Sequence, residues 1–244
     1  MSCGFRRILD ARYEKVREAG IVTSQAVLIA VGIDWDGRRQ ILSVEMANRE
    51  SRSAWKDFLV ALKARSLKGV ELVVSDDHAG LVAAIGEVMP EAAWQRCYVH
   101  FLRNTLDHLP RKHWRRLPAG AALAVRSTRS HRGQGRSRRM ACQMVGPLSA
   151  ADDMGGGDHR THAHLLLPAG QHHKHLKSTN MLERLNEEIR RRTYVVRIFP
   201  NAQSCLRLVR ALAVETNENW MEANRYINMD DLREHKKLAL HQAA

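Results

Sequence analysis

What the chain lacks narrows its class before any motif is read. Its opening, MSCGFRRILD, has no apolar segment of the kind a secretory signal needs. The longest apolar run, around VLIAVGI, is far too short to span a bilayer. The four cysteines (Cys3, Cys97, Cys142 and Cys205) are scattered without a CxxC pair. A disulfide framework is therefore excluded, and a reducing, cytoplasmic setting with no membrane partner is expected. No internal repeat occurs at solenoid periods. Acid is also scarce: 26 Asp and Glu face 39 Lys and Arg, a formal net charge of +13 over 244 residues. Such a balance says nothing of fold. It favours a polyanionic partner, because Lys and Arg that neutralise phosphates release condensed counterions.

What is present reads cleanly in the first half. Residues 7–17 (RILDARYEKVR) fit a strand, and Ala19-Gly20 marks a turn. Residues 22–33 (VTSQAVLIAVGI) are β-branched and apolar and fit a buried strand. Asp36-Gly37 is a hairpin signal, and RRQILSVEMA follows as a third strand. Trp55, Phe58, Leu59 and Leu62 recur at helical spacing and predict a helix over residues 51–65. VELVVS (70–75) is a short strand ending at Asp76-Asp77. A helix with Leu81, Ile85 and Val88 on one face follows, stopped near Pro90. AAWQRCYV (92–99) suits a fifth strand, and HFLRNTLDHL a helix after it. This β-β-β-α-β-α-β-α order predicts an α/β fold, a mixed sheet flanked by helices. The last third reads as helical. Ser178-Thr179-Asn180 supplies caps before MLERLNEEIRRR, and Pro200-Asn201 interrupts the chain before a long final helix.

Residues 111–170 do not fit. They hold 11 Lys and Arg against 3 Asp and Glu, 8 of the 15 glycines, and no clear helical or strand period. By composition this stretch is expected to be disordered, which is unusual for a loop inside a compact domain. Three parts are therefore expected: residues 1–112 as the first part of a core, 113–170 as an anomalous insertion, and 171–244 as a helical C-terminal part.

Three carboxylates stand out by position. Asp10 lies inside the first strand, where an acid is disfavoured. Asp76 ends the fourth strand, a usual location for functional groups in α/β sheets. Glu183 lies on a helix beside its apolar stripe, with Asn180 and Asn186 near the same face. Hard divalent cations take such oxygen ligands. If strands one and four are neighbours, Asp10 and Asp76 converge there. The competing reading is solvated turn residues and a surface helix glutamate. His78 sits in the Asp76 loop, either as a DNA contact or carboxylate partner, or as a loop residue with a local hydrogen bond. Cys97 and His100 form a CxxH pair. One reading is half a zinc site completed by Cys142 or by His172, His173 and His175, although no complete ligand motif with tidy spacing exists. The other is a core Cys with a capping His. Arg184, Arg190, Arg191 and Arg192 on or beside the Glu183 helix suit a DNA backbone, or a solvated helix face.

The stretches LVVSDDHAGL, AAWQRCYVHFLRN and STNMLERLNEEIRRRTYVVRIFPN closely resemble the Mutator-type insertion-sequence transposases of bacteria, and RILDARYEKVREAG looks like their first-aspartate segment. The resemblance spans residues 7–112 and 171–229. It implies an RNase H-like fold with a DDE site: Asp10, Asp76 and Glu183 as catalytic residues and ligands of Mg²⁺ or Mn²⁺. The family pattern of Ser-Asp, one variable residue, then His gives the second position to Asp76 rather than Asp77. It implies hydrolysis at element ends and strand transfer by the freed 3′-hydroxyl into target DNA, within a homo-oligomeric complex. It also implies a supporting role for the CxxH pair, with His100 near the scissile phosphate.

Two departures from the family pattern matter. Family members carry a DNA-binding region of substantial length before the first Asp, so terminal-repeat recognition is expected to be lost. They also carry a helical insertion where residues 113–170 stand. That stretch is expected to be read out of frame: LPAGAALAVR back-translates to codons that, one base on, read CLQELRWLY, with Leu at every third residue. The alternative to an enzyme is a non-catalytic DNA-binding remnant of a degraded transposase. A different RNase H-like nuclease is disfavoured by the extended motifs around Cys97 and Glu183.

Overall fold

A long hairpin opens the fold. Strand β1 (Gly4–Glu18) and strand β2 (Ile21–Asp34) pair antiparallel across Ala19 and Gly20. Both turn residues have positive φ, 48° and 83°, the left-handed conformation a two-residue hairpin turn demands. The next turn folds around Asp34, whose carboxylate Oδ1 accepts from the amides of Asp36 and Arg38 at 3.0 and 2.8 Å. Gly37 there has φ 75°. Strand β3 (Arg39–Ala47) returns antiparallel to β2. These strands, helix α1 (Arg52–Ala64), strand β4 (Leu72–Ser75), helix α2 (Ala79–Val88), strand β5 (Ala93–Arg96), helix α3 (Asn180–Thr193) and helix α4 (Ala202–Glu222) follow in chain order. This computed structural model describes residues 4–65, 69–97, 100, 180–223, 225–230, 233, 234 and 237.

The sheet order is β3-β2-β1-β4-β5, and β4 runs parallel to β1. A mixed sheet therefore forms where the meander passes through a crossover helix, as the element order predicts. The strands expected over 70–75 and 92–99 are shorter than the apolar runs that predicted them, because pairing rather than hydrophobicity sets their ends.

Helix α1 exists because Trp55, Phe58, Leu59 and Leu62 form one stripe, and because Ser51 caps it by accepting the Ala54 amide at 3.2 Å. That stripe and Leu81, Ala84, Ile85 and Val88 of α2 pack on Leu9, Leu28, Ala30 and Val73 of the sheet. Each fully buried apolar side chain of this kind contributes about 1.5–3 kcal/mol. Side chains alternate along β1, so Ile8, Asp10 and Arg12 point to the opposite face, away from Leu9. Helix α3 docks on that opposite face, burying Leu182, Leu185 and Ile189. Helix α4 starts at Asn201, whose side chain accepts the Ser204 amide at 2.8 Å, and it packs chiefly on β3.

The chain divides into two compact units, one made of Met1–Gln95 and Thr179–Ala244, the other of Arg96–Ser178. The expected insertion at 113–170 lies outside the described residues. So do Cys3, Cys142, His172, His173, His175, Ser178 and Thr179, and residues 101–109 of the helix expected after β5.

Candidate active site

The register of β1 on β4 pairs Arg6 with Leu72, Arg7 with Val73 and Ile8 with Val74. The pairing ends at Ile8 and Val74, and β4 ends at Ser75. Extended two residues past that end, the same register would bring Asp10 level with Asp76, since in-register residues of neighbouring strands share a face. Both are half-buried.

The Asp76 turn is fixed from two sides. Beneath it, the Trp94 indole donates to Ser75 Oγ at 3.0 Å, and the Ser75 hydroxyl donates to the Asp76 carbonyl at 2.7 Å. Beyond it, His78 caps α2, its Nδ1 accepting the Leu81 amide at 3.3 Å. This is the local hydrogen bond of the two readings held for His78. The same nitrogen lies 3.7 Å from Glu50 Oε1, too far for a hydrogen bond. Glu50 is an acid the sequence reading passed over. Its Oε1 accepts from the Trp55 indole at 3.0 Å. Burial pushes its carboxyl pKa up, the nearby Asp76 charge adds to that, and Trp55 and His78 oppose it. Gly80 closes the corner: a Cβ there would lie 2.8 Å from the Arg52 amide nitrogen.

Helix α3 meets Asp10 directly. The Asn186 side-chain amide donates to Asp10 Oδ2 at 2.9 Å, and Arg12 Nη1 donates to the Asn186 carbonyl at 2.5 Å. Asp10 Oδ1 accepts the Ala11 amide at 2.9 Å. Arg12 also pairs with Glu14. Burial lowers the Arg12 pKa, with Arg190 adding to that and Glu14 opposing it. Glu183 is half-buried, three residues before Asn186 and so on the adjacent turn of one helix face. Arg12 was findable from sequence, since alternation puts it on Asp10's face. Glu50, in the connection before α1, carries no such signal.

The four arginines split. Arg191 donates to Glu188 at 3.0 and 2.7 Å, and Arg192 to Glu188 at 3.1 Å, which drops the Glu188 pKa to about 2. Arg192 also lies 3.8 Å from Glu215. Arg184 and Arg190 are exposed without an ion pair among the described residues. In the second unit, Cys97 is buried and His100 is half-buried.

The oxygen donors suit a hard divalent cation. Asp76 Oδ1 and Asn186 Oδ1 are both buried and lack a hydrogen-bond partner among the described residues, and Asn186 also bonds Asp10. Among the described residues, no three His, Cys, Asp or Glu side chains are gathered as a metal-holding group. Asp10 meets an amide on α3. No helix of the described residues is long and apolar enough to cross a membrane.

Comparison with known proteins matches the chain to one family. The chain is 72% identical over 242 residues to the transposase for insertion sequence element ISRM5 of Rhizobium meliloti (strain 1021), covering 97% of this chain and 60% of that one. It is 41% identical over 226 residues to the transposase for IS406 of Burkholderia multivorans, covering 91% and 58%. It is 37% identical over 227 residues to the transposase for IS256 in transposon Tn4001 of Staphylococcus aureus, covering 91% and 57%. The chain thus spans about three fifths of the length of these curated relatives. A viral intasome structure, from simian T-cell lymphotropic virus, aligns at TM-score 0.27 and 13% identity over 54% of this chain and 50% of that one, too slight a likeness to bear on the fold. The model for the family described as Transposase, Mutator family, matches residues 6–223, and this chain belongs to that family.

Proposed function

We propose that this chain is the strand-cleaving and strand-joining core of an insertion-sequence transposase, with an RNase H-like fold and a DDE site of Asp10, Asp76 and Glu183. The observation that carries the reading is the parallel pairing of β1 on β4, which, extended past Ile8 and Val74, would bring Asp10 level with Asp76, whose Oδ1 is buried without a hydrogen-bond partner among the described residues. The sheet order, three antiparallel strands followed by one parallel to the first, supports the fold assignment.

Asp10 and Asp76 would hold Mg²⁺ or Mn²⁺, with Glu183 as the third carboxylate from α3. When bound, such ions activate an attacking oxygen and stabilise the leaving one in phosphodiester cleavage. The chain's own residues supply position. Ser75 and Trp94 fix the end of β4, and Asn186 holds the orientation of Asp10. Arg184, Arg190, Arg191, Arg192 and His78 would contact DNA, and the family resemblance gives His100 a supporting role. For Arg191 and Arg192 this means exchanging Glu188 for phosphate oxygens. The partners would be DNA of the element ends and the target, in a homo-oligomeric complex.

One observation favours a second reading. No three acidic or ligating side chains are gathered among the described residues, as suits a non-catalytic DNA-binding chain. The two separate in one assay: purified chain, DNA carrying element ends, and Mn²⁺, beside Asp76→Asn. Nicking that needs the metal and vanishes in the variant supports the enzyme. Binding without nicking supports the second reading.

A further inference from the structure

Behind the Glu183 helix lies a cavity of about 180 Å³, lined by Arg39, Met181, Arg184, Leu185, Glu188, Thr216 and Trp220. It is too small for a drug-sized ligand or a dinucleotide, which take about 300–1,000 Å³. Its charge is unbalanced. The Arg39 guanidinium lies 4.6 Å from the centroid of the Trp220 ring and 4.9 Å from that of Tyr226. Held between two aromatic faces, Arg39 has no carboxylate partner among the described residues. Its pKa is lowered by burial, and the Arg184 charge lowers it further. Arg184 is exposed and has no ion pair among them either. The one acid in the lining, Glu188, has both oxygens taken by Arg191 and Arg192. Two like charges share a cavity in which, among the described residues, the one carboxylate is already paired, a setting that suits an anion.

We propose that this cavity binds a phosphate of the DNA backbone, gripped by Arg39 and Arg184 beside the Trp220 ring. The proposal rests on the strand-cleaving reading, since it names a second place where the same DNA is held. Guanidinium groups present paired donors that match phosphate oxygens, and aromatic rings beside them suit an adjacent sugar or base. The chain's formal charge of +13 favours the same polyanion. At 100° per residue, Met181, Arg184, Leu185 and Glu188 form one face of α3, and Glu183 and Asn186 another, nearly opposite. A strand with its scissile phosphate at Asp10 and Asp76 would reach the cavity by passing across α3, so this phosphate lies to one side of the cut.

The test measures binding of the full chain to labelled single-stranded and duplex DNA, in EDTA, over a series of salt concentrations. Each phosphate contact contributes about 0.9 to the slope of log K against log salt on duplex DNA, or about 0.7 on a single strand. Arg184→Gln is expected to flatten the slope by about one contact. Arg39→Gln combined with Arg184→Gln should flatten it by about two. Lys56→Gln, at a distant site paired with Glu87, should leave it unchanged. Thermal melting of each variant separates lost folding from lost contact, which matters for Arg39 because it also packs on two rings. A folded Arg184→Gln with the wild-type slope and affinity overturns the proposal. If that happens while the wild type still nicks DNA in an Asp76-dependent way, the cavity assignment fails and the strand-cleaving reading stands. A wild type that binds no DNA overturns both.

Discussion

Asn186 donates its side-chain amide to Asp10 across 176 residues of chain, at 2.9 Å. That bond is one link between the sheet and the helix bearing Glu183, beside the Arg12 bond to the Asn186 carbonyl. Asn186→Ala removes the donor and leaves a half-buried carboxylate short of one partner, a loss of about 1–3 kcal/mol in chemical denaturation. Asn186→Asp is more informative. It sets a second negative charge against Asp10, so the variant should melt earlier than wild type in EDTA. Added Mg²⁺ or Mn²⁺ should restore most of the loss if a cation sits between the two. A variant that stays equally unstable with and without metal would argue against a cation site at Asp10.

Asp76 carries a buried oxygen without a partner among the described residues, an arrangement that costs stability while nothing is bound. Asp76→Asn replaces a desolvated charge with a neutral amide, so the metal-free variant should melt at or above the wild-type temperature. Ligand linkage predicts that Mn²⁺ at 100 times its dissociation constant stabilises the wild type by about 2.7 kcal/mol. The variant should lose that shift together with nicking. Equal Mn²⁺ shifts in the two proteins would count against Asp76 as a ligand.

Much of this arrangement was legible because it follows from local rules. The meander came from its two turns, where Ala19-Gly20 and Gly37 supply positive φ. Helix α1 came from the spacing of Trp55, Phe58, Leu59 and Leu62, which are all buried. The adjacency of β1 and β4 was legible only conditionally, because it depends on a crossover and not on either strand's own pattern. Glu50 was not legible. Its neighbours Trp55 and His78 reach it through the packing of the two helix N-termini at Gly80, which no periodicity encodes. The Arg39 cavity was hidden for the same reason: Trp220 and Tyr226 come from the far end of the chain.

Gly37 ties that far end to the sheet. Its carbonyl accepts the amides of Tyr226 and Ile227 at 2.9 and 3.3 Å, and Arg233 bonds Asp36 at 2.6 Å. The position has φ 75°, and a Cβ there would sit 1.8 Å from the Ile227 carbonyl oxygen. Gly37→Ala therefore combines a left-handed backbone penalty with a direct clash, together about 2–5 kcal/mol. The segment around residues 225–230 should then detach first, read as faster amide exchange at Tyr226 and Ile227 than in wild type. Wild-type exchange rates there would show that the turn does not anchor this segment.

Glu50 gives the fold a pH dependence whose sign can be worked out. Its folded-state pKa is raised, chiefly by burial. The folded protein therefore holds the Glu50 proton more tightly than the unfolded chain. The stabilisation from this group is complete below the ordinary glutamate value of about 4.3 and is lost as pH rises through the raised folded value. In Glu50→Gln, the Trp55 indole keeps an oxygen to donate to and the buried charge is gone. In EDTA, the variant should match the protonated wild type at low pH and exceed it in stability once pH has risen through the raised folded value. The gap between the two denaturation curves should open as pH rises. A gap that is constant from pH about 4 to 8, or one that closes on going up, would mean that Glu50 is not the group whose charge the fold resists.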